Sequence, residues 1–171
     1  MESNTHEKSK TESTLLLVED TLTQSMYMSH ALSQAGYNVT VARSGEKALE
    51  ALASFQPDAI LTDINMPGIS GFDLVKTLKE CDSTQAITTI LLLTPGHLKD
   101  VVEILNSGAD GIVFKSTLAK KFVDQVKLAL QQNQPNALYI DGLSYPTKSV
   151  QEKSNHLFLS AYQQILDLQS Q

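Results

Sequence analysis

At 171 residues, with a net charge of −6 and a pI near 5.1, the chain has the size of one ordinary domain and offers no basic face with which to grip nucleic acid. A hydrophobic fraction of 42% suffices for a core, yet no apolar run approaches the ~20 residues that span a bilayer, so no membrane insertion is expected. Cys81 is the single cysteine, an inert thiol near a helix end that excludes an intrachain disulfide, and residues 1–13 lack a signal-peptide core, so the expected location is the cytoplasm.

Residues 1–13 are polar and charged and read as a flexible tail. Thr14-Leu-Leu-Leu-Val18 is a short continuous apolar run, the mark of a strand buried on both faces, and it ends at Glu19-Asp20. Thr21 starts a helix through Leu22, Met26 and Leu32 that Gly36 stops. Residues 38–42 form a second strand, and Ser44 caps a helix with Ala48, Leu49, Leu52 and Phe55 on its inner face. A third strand, apolar from Ala59 to Leu61, leads to Asp63. Pro67 fixes its own φ and keeps Met66 out of the helical region, while Gly68 and Gly71 allow a tight turn with no side chain closing over Asp63. Leu74, Val75 and Leu78 mark a third helix. Residues 86–93 are the longest apolar and β-branched run, hence a central strand, and it ends at Thr94-Pro95-Gly96. Leu98, Val101, Val102 and Leu105 recur at helical spacing up to Gly108. Residues 111–114 are a fifth strand ending at Lys115, and Leu118, Phe122, Val126 and Ala129 mark a fifth helix that ends near Gln132.

Five strand–helix pairs in strict alternation imply an α/β fold of the flavodoxin-like, doubly wound kind, a five-stranded parallel sheet with helices on both faces. The polar residues at the strand ends then share one edge. In the order 2-1-3-4-5 the first and third strands are neighbours, which brings Glu19, Asp20 and Asp63 into one crevice. Three carboxylates repel one another unless a cation is present, and oxygen ligands with open positions suit Mg²⁺. A rigid, accessible carboxylate such as Asp63 can accept a phosphoryl group. Thr94 can donate a hydroxyl hydrogen bond to a phosphoryl oxygen, and Lys115 can pair with Asp63 or with that group. Taken singly, each feature also has an ordinary reading: a turn-capping Asp63, a helix-capping Glu19-Asp20, a β-branched strand end at Thr94, a solvated Lys115. His6, His30, His97 and His156 show no metal-ligand spacing.

Four motifs, Leu15-Leu-Leu-Val-Glu19-Asp20, Leu61-Thr-Asp63-Ile-Asn-Met-Pro-Gly68 with Gly71, Leu91-Leu-Leu-Thr94 and Gly108-Ala-Asp-Gly-Ile-Val-Phe-Lys115, resemble the receiver domain of two-component response regulators. The resemblance covers residues 14–132 and rests on the four falling in order at suitable spacing. It implies that Asp63 accepts phosphoryl groups from a histidine kinase or a histidine phosphotransfer protein. It also implies that Asp20 and Glu19 serve Mg²⁺, the latter through water, that the Asn65 backbone carbonyl is a further metal ligand, that Thr94 is the switch hydroxyl, and that Lys115 contacts the phosphoryl group. Three positions depart from the pattern. Pro95 follows the switch hydroxyl where Ala or Gly is usual. Ile112 stands where an aromatic is usual, and Ser116 where a proline is.

Residues 133–171 are expected to form a linker and an amphipathic helix over 148–169, with a short extended piece at 137–140 and turns at Asp141-Gly142 and Tyr145-Pro146. The helix's stripe of Leu157, Ala161, Ile165 and Leu168 needs a cover, its own domain or a homodimer mate among the candidates. Three functions compete. The first is a phosphorylation switch or relay intermediate, not an enzyme beyond Mg²⁺-dependent self-phosphorylation and self-dephosphorylation, acting on an unidentified protein effector. The second is a pseudo-receiver that binds or scaffolds independently of phosphate. The third is an aspartate-nucleophile phosphatase of the haloacid-dehalogenase type, against which Asn65 counts, because it cannot transfer the proton that such a site needs.

Overall fold

The computed structural model describes residues 12–94, 101–131, 137–140 and 143–146. The expected alternation is present: β1 (Thr14–Val18), α1 (Leu22–Gln34), β2 (Asn38–Ala42), α2 (Gly45–Leu52), β3 (Ala59–Asp63), α3 (Gly71–Glu80), β4 (Thr88–Leu93), α4 (Val101–Asn106), β5 (Gly111–Phe114) and α5 (Ala119–Gln131). The five strands are parallel and stand in the order β2-β1-β3-β4-β5, as the alternation implies.

The two faces follow from the period-2 geometry of a strand. Leu15 and Leu17 of β1, Ala59 and Leu61 of β3, Ile90 and Leu92 of β4 and Val113 of β5 pack with Met28, Ala31 and Leu32 of α1 and Phe122, Val123 and Val126 of α5. Leu16, Val18 and Ile60 point the other way, onto Ala48 of α2 and Leu74 and Leu78 of α3. Leu91, Leu93 and Ile112 continue that layer under Val75 of α3 and Ile104 of α4. Because both faces are covered, the strands are continuous apolar runs without alternation.

Local signals set the helix ends. The Ser44 hydroxyl accepts from the Lys47 N–H at 3.1 Å and the Ser70 hydroxyl from the Asp73 N–H at 3.1 Å, each satisfying a first-turn donor. The structure sets the covered face of α1 and corrects the end of α2. The inner stripe of α1 is Ser25, Met28, Ala31 and Leu32, whereas Leu22 and Met26 are 56% and 62% exposed. Met26 lies about 100° round the helix from Ser25, off that stripe. The helix α2 ends at Leu52, and Phe55 comes just after the turn that follows it, where it still packs against the α2/α3 layer.

The sheet does not stop at β5. β6 (Ala137–Ile140) pairs with β5 in parallel, and β7 (Leu143–Pro146) pairs back on β6 antiparallel, making seven strands among the described residues. The extended piece expected at 137–140 is therefore a sheet strand. Tyr145-Pro146, expected as a turn, closes the edge strand β7, one of the few strand positions a proline tolerates. The expected helix over 148–169, the tail up to residue 11, Pro95 and Leu98 lie outside the described residues. No described helix is long and apolar enough to cross a membrane.

Candidate functional site

The carboxyl ends of β1, β3, β4 and β5 meet at one edge of the sheet. The register sets Val18 beside Thr62, Asp63 beside Leu92 and Leu93 beside Phe114, so the residues that follow each strand emerge together. The ladder continues one step beyond the strands: the Glu19 N–H donates to the Ala42 carbonyl at 3.0 Å and the Lys115 N–H to the Leu93 carbonyl at 2.8 Å. Both backbones are thereby fixed where their side chains turn into the crevice.

Glu19, Asp20 and Asp63 each offer a carboxylate oxygen to a common point, all three within 4.8 Å of one another. Glu19 is fully buried, Asp63 is buried at 6% exposure, and Asp20 is half-buried. The Lys115 ammonium answers this charge from β5. Its Nζ stands 2.6 Å from Glu19 Oε2 and 3.1 Å from Asp63 Oδ1. The other Glu19 oxygen accepts the Thr21 N–H at 3.1 Å, and Asp63 Oδ1 also accepts the Ile64 N–H at 2.9 Å. Burial pushes the Glu19 carboxyl above the usual range, the Asp63 charge adds to that, and the hydrogen bond from Lys115 opposes it. Three hard oxygen donors at the mouth of a crevice are a fitting set for a divalent cation such as Mg²⁺.

The loop after β3 packs closely on the strand end that carries Asp63. The Gly71 N–H closes it by donating to the Ile64 carbonyl at 2.7 Å. A Cβ at Gly71 would lie 2.1 Å from the Asp63 carbonyl oxygen and 2.8 Å from the Ile64 Cα, so only glycine lets the start of α3 approach this closely. Gly68 has φ +79°, the left-handed turn that the sequence called for. Met66 is buried in the α2/α3 layer and anchors the loop, while Asn65, two residues past Asp63, is exposed.

Of the sequence-derived residues, Glu19, Asp20, Asp63 and Lys115 come together directly. Thr94 is half-buried on the same edge and shares with Lys115 a cavity of about 390 Å³, lined also by Gln24, Tyr27, Met28, Ser116 and Thr117. Ile112 is buried under α4, and Phe114 is half-buried against the same layer, so the aromatic of this strand lies on the face away from Lys115.

Three contributors escape sequence reasoning. Gln24 of α1 accepts from Lys115 Nζ at 2.7 Å across 91 positions of chain. The Arg43 guanidinium donates to the Asp20 carbonyl through Nε (3.2 Å) and Nη2 (2.5 Å). Glu46 of α2 accepts the Ile69 N–H at 3.0 Å and so steadies the β3–α3 loop. None lies in a motif, and no local spacing announces a contact between distant segments.

Comparison with known proteins agrees with this geometry. Residues 15–127 match the response regulator receiver domain family. A probable cyclic di-GMP phosphodiesterase of Vibrio cholerae is 31% identical over 144 residues, covering 84% of this chain and 32% of that protein. The DNA-binding response regulator MtrA of Mycolicibacterium smegmatis is 29% identical over 120 residues, covering 70% of this chain and 51% of that protein. This chain thus spans about a third and a half of these two relatives' lengths. Among solved structures, the signal receiver domain of a signal transduction histidine kinase from Syntrophus aciditrophicus superposes with a TM-score of 0.64 at 32% identity, covering 72% of this chain and 93% of that one.

Proposed function

The chain belongs to the response regulator receiver domain family, and from that premise we propose that it is a phosphorylation-controlled signalling switch of a two-component system or phosphorelay. Asp63 takes a phosphoryl group from a histidine kinase or a histidine phosphotransfer protein, and the output passes to a protein effector by direct contact in the cytoplasm. The observation that carries this reading is the placement of Lys115 Nζ between the Asp63 and Glu19 carboxylates, with Asp20 completing an acidic cluster at the open edge of the sheet.

In the transfer, an Asp63 carboxylate oxygen forms the new bond to phosphorus, the phosphorus–nitrogen bond to the donor histidine breaks, and its electron pair returns to the imidazole. The Ile64 N–H and Lys115 hold the Asp63 carboxylate in one orientation. Lys115 then follows the phosphoryl oxygens, and the Thr94 hydroxyl, which shares its cavity, donates to them. Glu19, Asp20, Asp63 and the Asn65 backbone carbonyl would hold Mg²⁺, which when bound supplies further positive charge against those oxygens. The chemistry of this site is the uptake and loss of its own phosphoryl group.

Intact mass after incubation with acetyl phosphate tests the reading. A single phosphate adduct is expected on the wild type with Mg²⁺, none with a chelator, and none on Asp63→Asn. A wild type that stays unmodified in every condition, or an adduct that survives in Asp63→Asn, overturns it.

One observation favours a second reading, a pseudo-receiver whose contacts ignore phosphate. Ile112 is locked in the α3/α4 layer at 2% exposure, so no aromatic stands ready to move at the position where the family pattern places one. Equal partner affinity before and after phosphorylation of Asp63 would support that reading against the switch.

A further inference from the structure

Lys115 Nζ has three N–H donors; it hydrogen-bonds to Glu19 Oε2 at 2.6 Å and to Gln24 Oε1 at 2.7 Å, and it pairs by charge with Asp63 Oδ1 at 3.1 Å. The two shortest contacts lead away from Asp63. Glu19 is charged and fully buried, so Lys115 leaves it only when another cation, such as the Mg²⁺ that this cluster would hold, neutralises it. Gln24 is neutral and exposed on the first turn of α1, so its amide is rehydrated as soon as it is released. Gln24 therefore holds Lys115 whether or not Mg²⁺ neutralises Glu19, and it is the partner given up at least cost.

We infer that Gln24 is a positioning residue that restrains Lys115 and so sets the rate at which Asp63 takes up a phosphoryl group. The inference rests on the phosphoacceptor reading above. An incoming phosphoryl group presents oxygens that need the ammonium's donors, and the two hydrogen bonds to Glu19 and Gln24 point the ammonium away from them. The ammonium must turn toward those oxygens, and the bond to Gln24 is the one that holds it back. Weakening that bond leaves an N–H available at once, whereas strengthening it with a charge holds Lys115 back. Gln24 touches neither Asp63 nor the reacting atoms in this geometry and acts through Lys115 alone.

The test compares the rate of Mg²⁺-dependent uptake from acetyl phosphate, followed by intact mass, in the wild type, Gln24→Leu, Gln24→Met and Gln24→Glu. Loss of the amide acceptor in the first two variants is expected to speed uptake about three- to tenfold, the span that one net hydrogen bond corresponds to, and Gln24→Glu is expected to slow it. A second readout needs no phosphodonor. In ¹⁵N-lysine-labelled protein, the Lys115 ammonium protons should exchange with water faster in Gln24→Leu than in the wild type. Uptake by Gln24→Leu and Gln24→Met at the wild-type rate or below, or unchanged Lys115 exchange, overturns the inference while leaving the phosphoacceptor reading standing. Absence of uptake in the wild type itself overturns that reading, and this inference with it.

Discussion

At the scale of single residues, Lys115 is the group on which the acidic crevice depends. Its side chain is 13% exposed and faces a Glu19 side chain with no exposure at all. Removing one partner of such a pair leaves an uncompensated buried charge. Lys115→Met is therefore expected to lose about 3 kcal/mol of stability in chelator-containing buffer. Part of that loss should return with Mg²⁺, since a cation bound only to the folded state stabilises it by mass action. Urea unfolding with and without Mg²⁺ measures both effects. Glu19, Asp20, Asp63, Thr94 and Lys115 were legible in the chain because each directly follows or ends an apolar run, so its place on the sheet edge follows from the strand. Gln24, Arg43 and Glu46 were not legible. Each is an ordinary polar residue of a helix or loop, given its role by a neighbour 23 or more positions away.

At the scale of elements, the opposite edge of the sheet carries a polar joint that ties α3 to the turn before β5. Lys79 Nζ, near the end of α3, donates to Asp110 Oδ2 at 2.7 Å and to the carbonyls of Gln85 and Ile87 at 3.2 and 3.0 Å. The same Asp110 oxygen accepts the Thr89 N–H at 2.8 Å from β4. Asp110→Ala would strip partners from a backbone donor and from a half-buried ammonium. It is expected to cost about 1–3 kcal/mol in urea unfolding while phosphoryl uptake at the far edge persists. The existence of the helices was plain from their apolar spacing, but their inner faces were less so. Leu22 and Met26 belong to the apolar set of α1 by type, yet which hydrophobic residues of a helix are covered depends on how it rolls onto the sheet. Phe55 shows the converse, a half-buried residue beyond the end of its helix that packs as if it belonged to it.

At the scale of the whole molecule, the β6–β7 hairpin covers the edge that β5 would otherwise present. Its register with β5 reaches only Gly111 and Ile112, whereas Lys115 lies three residues further on. A chain ending at residue 132 is therefore expected to take up phosphate as the full chain does, with a lower unfolding midpoint because β5 becomes an open edge; intact mass and thermal unfolding check the two parts. The five-fold alternation of strand and helix, the doubly wound class and the chemistry of the strand ends were determined by the sequence alone. Periodicity, caps and turn residues are local properties, and a parallel sheet buried on both faces leaves a continuous apolar run wherever a strand lies. The addition of two strands after α5 was decided in three dimensions, because a short segment such as 137–140 is a strand only if an edge is there to receive it. So were the covered face of α1 and the three partners that share the Lys115 ammonium. These contacts join segments tens of residues apart, and their geometry exists only once the sheet has brought the segments together.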